Sequence, residues 1–459
     1  MQQQKKGGFT SSLGFILSAA GSAVGLGNIW RFPYLAAKGG GGLFILVYIV
    51  LTLTFGFTLL TTDLAIGRKT GKSSLQAFGA VHPKWKFIGP LTFIVPCIIL
   101  TYYCAIGGWV LKYITVYLTG ASSAAAAPDY FTSFITSHIS PIVMMLIYLA
   151  LTAFIVYNGV EKGVEKFSKI VMPGLIIMII GIAIFSMTLS HDGRTAMDGL
   201  KIYLVPDFSG LTLNKFMTIL LDATGQLFYS LSIAMGIMVT YGSYVDKKDN
   251  LGQSITRIEI FDTGVAFLAG LMIIPAVYIF SGREGLSANG PGLMFVALPQ
   301  IFDKMGYIGI VVGVVFFVMV AFAALTSSVS IMETIVASIM EKTGKTRKQI
   351  SLFVAIAATI GAIVICLGYN LFYFELTLPN GTVGQLLDIA DYVSNSLLMP
   401  LVALFTSILI GWVVKPKWVI DELESSGHTF KRKTLYTVII KYIAPVVMAI
   451  LFLQAIGVF

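Results

Sequence analysis

The stretch Gly21-Ser22-Ala23-Val24-Gly25-Leu26-Gly27-Asn28-Ile29-Trp30-Arg31-Phe32-Pro33 lies inside an apolar run, from about Ser11 to Ala37, that would otherwise cross a membrane as one helix. Three glycines, Asn28 and Arg31 interrupt it. Backbone groups left unpaired at membrane depth cost several kcal/mol each, so such an interruption survives only where it faces protein or a water-filled cavity. The economical reading is a discontinuous helix whose freed carbonyls and amides hold an ion and a charged solute near the bilayer midplane. Close helix packing accounts for Gly21 and Gly25. It does not account for Asn28 and Arg31, whose burial in hydrocarbon is costly without a partner.

Around this stretch the chain has a membrane protein's composition. Its 459 residues are 56% hydrophobic and 12% charged, with a mean hydropathy of +0.86, far from that of soluble globular domains. Segments able to span about 30 Å of hydrocarbon begin near residues 10, 42, 88, 140, 166, 213, 254, 305, 348, 385 and 434, which predicts an all-α membrane protein of eleven transmembrane helices. The net charge of +9 calls for no nucleic acid, because the basic residues gather in alternate loops. Lys5 and Lys6 precede span 1, Arg68, Lys69, Lys72, Lys84 and Lys86 separate spans 2 and 3, and Lys162, Lys166 and Lys169 separate spans 4 and 5. The expected protein is therefore multi-pass in the cell (inner) membrane, surrounded by lipid bilayer, with a cytoplasmic N-terminus and an extracellular C-terminus.

Cys97, Cys104 and Cys366 fall within spans and show neither metal nor disulfide spacing. His82, His138, His191 and His428 fall in loops or at span edges, which argues against an intramembrane enzyme. No hydrophilic run is long enough for a separate domain, so residues 1–459 read as one transporter-like membrane unit. The span beginning near 213 is also interrupted, by Gly225-Gln226-Leu227-Phe228-Tyr229-Ser230-Leu231-Ser232-Ile233-Ala234-Met235-Gly236. Broken segments in corresponding positions imply a five-plus-five inverted repeat with broken helices 1 and 6. Its halves would occupy about 10–190 and 213–415, followed by an extra helix at about 433–459. Helix packing alone remains an equal account of the second interruption.

The run from Gly21 to Pro33, followed by Gly39-Gly40-Gly41-Gly42, resembles the first-helix signature of the sodium-coupled neurotransmitter and amino-acid symporters. Tyr102-Tyr103 and Trp109 in span 3, Gly225 to Ser232 in span 6, and Ala323-Ala324-Leu325-Thr326-Ser327-Ser328 in span 8 extend the resemblance over spans 1 to 10. Eleven spans resemble a bacterial branch that includes carriers of aromatic and branched hydrophobic amino acids. The resemblance implies alternating access and two sodium ions. The first would be held by Ala23, Asn28, Ser230 and Asp262 together with the substrate carboxylate, and the second by Gly21, Val24, Ala323, Thr326 and Ser327. Hydroxyls such as those of Thr326 and Ser327 also commonly bond back to carbonyls of their own helix.

The same resemblance sets the substrate carboxylate against the amides of Leu26 and Gly27, where a helix N-terminus favours an anion, with the Tyr103 hydroxyl as a further donor. Carbonyls of Ala23, Tyr229 and Ser230 and the Ser232 hydroxyl would take the ammonium. Gly25 stands where amine carriers of this kind place an aspartate, so the substrate should bring its own carboxylate. Ile99, Tyr103, Tyr229, Ser232, Met235, Ser327 and Ile331 would wall the side chain, favouring a hydrophobic or aromatic amino acid. Arg31 and Asp391 match an outer gate. Lys6, Phe9, Ser243, Tyr244 and Glu341 match an inner one, and Gly163 with Pro173 match a helix-5 unwinding motif.

Asp262 replaces the usual asparagine, and Ala266 stands where chloride-independent relatives carry a glutamate. With the Asp262 charge beside the first ion, no chloride is expected near Tyr48, Gln226 and Ser230. After the cargo leaves, Asp262 either stays ionised or takes a proton back outward, and the sequence leaves both open. A sensor of the same fold that does not transport is the rival reading.

Overall fold

The computed structural model describes residues 8–287, 290–425 and 427–458. Among them nine helices are long and apolar enough to cross a membrane, ten when one bent pair is taken as a single span. The nine are Gly42–Thr70, Pro83–Leu118, Ser140–Tyr157, Val160–Ser186, Leu251–Gly285, Tyr307–Thr343, Arg347–Leu367, Leu386–Val413 and Lys433–Ala455, which correspond to spans 2 to 5 and 7 to 11. The bent pair is span 1, Ser12–Ala23 and Gly27–Lys38, with a 53° angle between its halves.

The stretch expected as span 6 forms two helical pieces, Leu213–Ser230 and Ile237–Gly242, and is not counted among these apolar crossings. It fails the test of an apolar crossing for a physical reason. Its first piece carries Asn214, Lys215, Thr218, Asp222, Thr224 and Gln226, and its helical hydrogen bonding stops at the break.

Both breaks have a local cause. Helix 1 stops where Val24 turns to φ −74°, ψ 91°, and it resumes through a wide π-type turn at Gly27–Arg31. Span 6 stops at Ser230, and the link that follows holds Ser232 at φ 52°, Ala234 at φ 61° and Gly236 at φ 75°. The first two are side-chain-bearing residues in a left-handed region that costs about 1–3 kcal/mol each, a strain typical of binding and switch sites. The Asp63 carboxylate of span 2 steadies the link by accepting the Ala234 amide at 3.1 Å.

Spans 3 and 7 are the most enclosed of the apolar helices, with 72% and 67% of their most apolar windows buried, against 28% for span 11. The interior is thus built around spans 1, 3, 6, 7 and 8, while span 11 lies at the rim. Span 3 packs extensively on span 8, and helix Ser12–Ala23 packs on both span 7 and span 8.

At the end opposite the basic loops, the hairpin Ser190–His191 with Arg194–Thr195 leads into helix Ala196–Leu204, which starts on a reciprocal Thr195–Asp198 cap. That segment closes on the glycine run. The Asp207 amide donates to Gly40 O at 3.1 Å, and a Cβ on Gly41 (φ 58°) would fall 2.0 Å from Ile202 O. Only glycine fits there.

Candidate functional site

The two breaks face each other across one small cavity of about 20 Å³, room for about one water-sized sphere. Ser22, Ala23, Gly25, Gly27, Ile99, Tyr103, Tyr229, Ser232, Met235, Ile237, Ser327 and Ile331 line it. Every side-chain-wall residue expected from the sequence is in that lining, while Leu26 is wholly buried just behind it. The Ser22 carbonyl, freed at the end of the first half-helix, accepts from Ser232 Oγ at 3.2 Å and Ser327 Oγ at 3.1 Å. Three elements therefore meet at the opening of helix 1. Gly25 permits the closeness, because a Cβ there would sit 2.8 Å from Ser327 Oγ and 3.1 Å from the Tyr103 hydroxyl. That hydroxyl is buried and has no hydrogen-bond partner of its own.

Directly beside the cavity lies a fully buried carboxylate. Asp262 Oδ1 accepts from Asn28 Nδ2 at 2.8 Å and Ser230 Oγ at 2.6 Å, and its Oδ2 accepts from the Tyr48 hydroxyl at 3.4 Å. The Asn28 side-chain oxygen accepts from the Gly25 amide at 3.2 Å, and Gln226 Nε2 donates to Gly27 O at 3.0 Å. The Gln226 Oε1 atom is buried without a partner.

Asp262 forms no ion pair with any lysine, arginine or histidine among the described residues. Neutral donors alone surround a negative charge at membrane depth, an arrangement that fits a hard, oxygen-seeking cation. Asn28, Ser230 and Asp262 are thus brought together as the sequence implied, with Ala23 on the adjoining cavity wall.

Gly21, Ala323, Thr326 and Ser327 of the second expected set also meet. A Cβ on Gly21 would lie 3.2 Å from Thr326 Cβ, which puts the end of the first half-helix against span 8. Thr326 Oγ1 donates to Ala323 O at 3.0 Å, and Ser327 Oγ to Ala323 O at 3.2 Å. The back-bonding account of these hydroxyls therefore holds, and it leaves their oxygen lone pairs free to face an ion. Val24 is wholly buried.

At the end away from the basic loops, Asp391 accepts from Asn395 Nδ2 at 2.6 Å, and no direct Arg31–Asp391 ion pair is formed. At the basic end the Phe9 ring packs on Phe15, Tyr241 and Tyr244, with centroids 5.5, 5.4 and 6.1 Å away. Ser243 Oγ donates to Thr240 O at 2.7 Å, and Glu341 accepts from Ser73 N and Oγ at 2.8 and 2.7 Å. Lys6 lies outside the described residues. Gly163 sits in a π-type turn, Val160–Glu165, that opens span 5, and Pro173 lies inside the helix that follows.

Two buried acids at this end were missed in the sequence. Glu333 accepts from the Tyr244 hydroxyl at 2.8 Å and is clamped in two-point fashion by Arg347. Glu165 accepts from Thr10 N and Oγ1, both at 2.7 Å, and from Lys169 Nζ at 2.7 Å, which ties the start of helix 1 to span 5. The available signal was an acidic residue inside or beside an apolar span, which demands a partner.

A model of the sodium:neurotransmitter symporter family matches residues 6–133 and 133–459. An "uncharacterized sodium-dependent transporter YhdH" of Bacillus subtilis is 34% identical over 465 residues, covering 100% of this chain and 99% of its own. The human "sodium- and chloride-dependent GABA transporter 2" is 24% identical over 473 residues, covering 92% of this chain and 75% of its own. A crystal structure of MhsT in complex with L-phenylalanine has a TM-score of 0.86 at 35% identity, covering 98% of this chain and 100% of that one. The chain belongs to the sodium:neurotransmitter symporter family and is a sodium-dependent transporter, not an enzyme.

Proposed function

We propose that this chain carries a hydrophobic or aromatic amino acid into the cell together with sodium, by alternating access. The observation that carries the reading is the Asp262 carboxylate, buried beside the cavity with hydrogen-bond donors but no basic partner. Asn28, Ser230, Asp262 and the Ala23 carbonyl would hold one sodium ion, and the substrate carboxylate would complete its shell, so that ion and solute bind as a unit. Gly21, Val24, Ala323, Thr326 and Ser327 would hold a second ion. In this reading Leu26 and Gly27 amides and the unpartnered Tyr103 hydroxyl receive the carboxylate, while carbonyls at Ala23, Tyr229 and Ser230 receive the ammonium.

The apolar and aromatic lining favours an uncharged side chain, since a charged one would be buried unpaired. The named ligand of MhsT, L-phenylalanine, supports that class. Alternation fits the two broken helices, read as equivalent members of an inverted repeat, with Arg31 and Asp391 closing one side and the Phe9–Tyr244 cluster the other. The positive-inside pattern puts that cluster on the cytoplasmic face. A cavity of about 20 Å³ is too small for an amino acid, so its walls must part on binding. Asp262 would also stand in for a balancing chloride and take a proton on the empty return.

Proteoliposomes with an imposed inward sodium gradient provide the test. Labelled phenylalanine, leucine, tyrosine and tryptophan are expected to accumulate with sodium and not with choline, and equally well when gluconate replaces chloride. Sodium-driven uptake should alkalinise the interior. Sodium-dependent binding without any accumulation would favour a sensor instead.

A further inference from the structure

Span 7 carries a polar stripe that the proposed transport site does not use in full. Gln253, Thr256, Glu259 and Asp262 follow one another at i, i+3 spacing, which makes each the neighbour of the next along a path that winds around Leu251–Gly285. At the basic end of the stripe, Gln253 and Thr256 line a cavity of about 230 Å³ together with Phe57 and Arg432. At its other end stands Asp262. Between them Glu259 is 2% exposed, and neither of its carboxylate oxygens has a hydrogen-bond partner. One turn further on, the Thr263 hydroxyl is also buried without a partner.

The charged groups that face Glu259 are Arg432, from the loop before span 11, and Asp262 on its own helix. Arg432 reaches only to 3.9 Å from the carboxylate. Its guanidinium lies over the Phe57 ring at 4.4 Å and donates to Leu53 O at 3.5 Å, and its side chain is 34% exposed toward the cavity mouth. A buried carboxylate so poorly served calls for an explanation. A carboxylate is a hard oxygen donor that suits an alkali ion, and along the helix Glu259 stands between the pocket-lining Thr256 and the expected first ion ligand Asp262.

We propose that Glu259 forms a transit site for sodium between Asp262 and the cytoplasmic cavity, with Arg432 covering the carboxylate between passages. The inference rests on the reading of Asp262 as a sodium ligand. It adds a route along span 7 by which the first ion leaves, separate from the opening that releases the amino acid. A cation arriving from Asp262 displaces the loosely held Arg432 and is then passed to the Thr256–Gln253 cavity.

The test uses the full chain, with labelled L-phenylalanine and radioactive sodium as probes. In detergent, Glu259→Gln should bind phenylalanine with a half-saturating sodium concentration within threefold of wild type. In proteoliposomes its sodium release and its uptake turnover should fall at least tenfold, and Glu259→Asp should recover at least half of the loss. In a second arm, Thr256→Cys should react faster with a cationic thiol reagent than with an anionic one of equal size, and sodium should slow that reaction only when Glu259 is intact. Wild-type turnover in Glu259→Gln, or sodium protection of Thr256→Cys that ignores Glu259, overturns the transit site. Should Glu259→Gln fail to fold, the Thr256→Cys reaction with and without sodium decides alone, and absence of protection overturns the proposal. Wild type binding phenylalanine equally in sodium and choline overturns the Asp262 reading itself, and the transit site with it.

Discussion

Gly25 and Tyr103 show how single atoms set what the cavity admits. A methyl group added at Gly25 would enter a space of about 20 Å³ and press on Ser327 Oγ and the Tyr103 hydroxyl. Gly25→Ala is therefore expected to fold normally and to lose at least about tenfold in amino-acid affinity, measured by equilibrium binding of labelled substrate. Tyr103→Phe removes a buried hydroxyl that has no partner, so thermal stability should hold or rise. Affinity should nevertheless fall about tenfold or more, since a hydrogen bond to a charged group contributes about 1.5–3 kcal/mol. These residues were legible in the sequence because polar or small groups at membrane depth demand a reason. Glu165 and Glu259 were not, because Thr10 and Arg432 come from distant parts of the chain; Glu333 was not, because Arg347, 14 residues on, meets it only where span 9 turns back on span 8, and a lone acid in a sequence does not say what it touches.

Helices 1 and 6 illustrate a second scale, at which irregular backbone needs outside support. The span 6 link holds Ser232 and Ala234 at positive φ, and the Asp63 carboxylate caps it through the Ala234 amide. Asp63→Ala would leave that amide buried without an acceptor, at a cost of about 1–3 kcal/mol. A lower apparent melting temperature is expected, with Asp63→Asn, which retains an acceptor, falling less. The break in helix 1 was readable from its glycines and Asn28, and its 53° bend agrees. Span 6 was readable as interrupted, though its amphipathic first piece does not meet the standard of an apolar crossing. Hydropathy locates lipid-facing helices well. It is blind to helices whose polar faces turn inward, since these are shielded by neighbours rather than by lipid.

Across the whole molecule, stability and ion binding are linked, because an ion that binds only the folded, assembled site adds its free energy to that of the fold. At a hundredfold excess over its dissociation constant one ligand adds about 2.7 kcal/mol. The apparent melting temperature should therefore rise in sodium over choline, rise again with phenylalanine, and lose both increments in Asp262→Ala. Hydrophobic spacing made the order of the apolar spans readable. The short elements that embrace the glycine run could not be foreseen in the same way, because they depend on a backbone approach that leaves no room for a Cβ at Gly41. That embrace reaches beyond local packing. Since the segment around Asp207 is fastened to Gly40, just past the second half of helix 1, an antibody fragment gripping the 190–207 segment would brake the carrier without ever entering its cargo path.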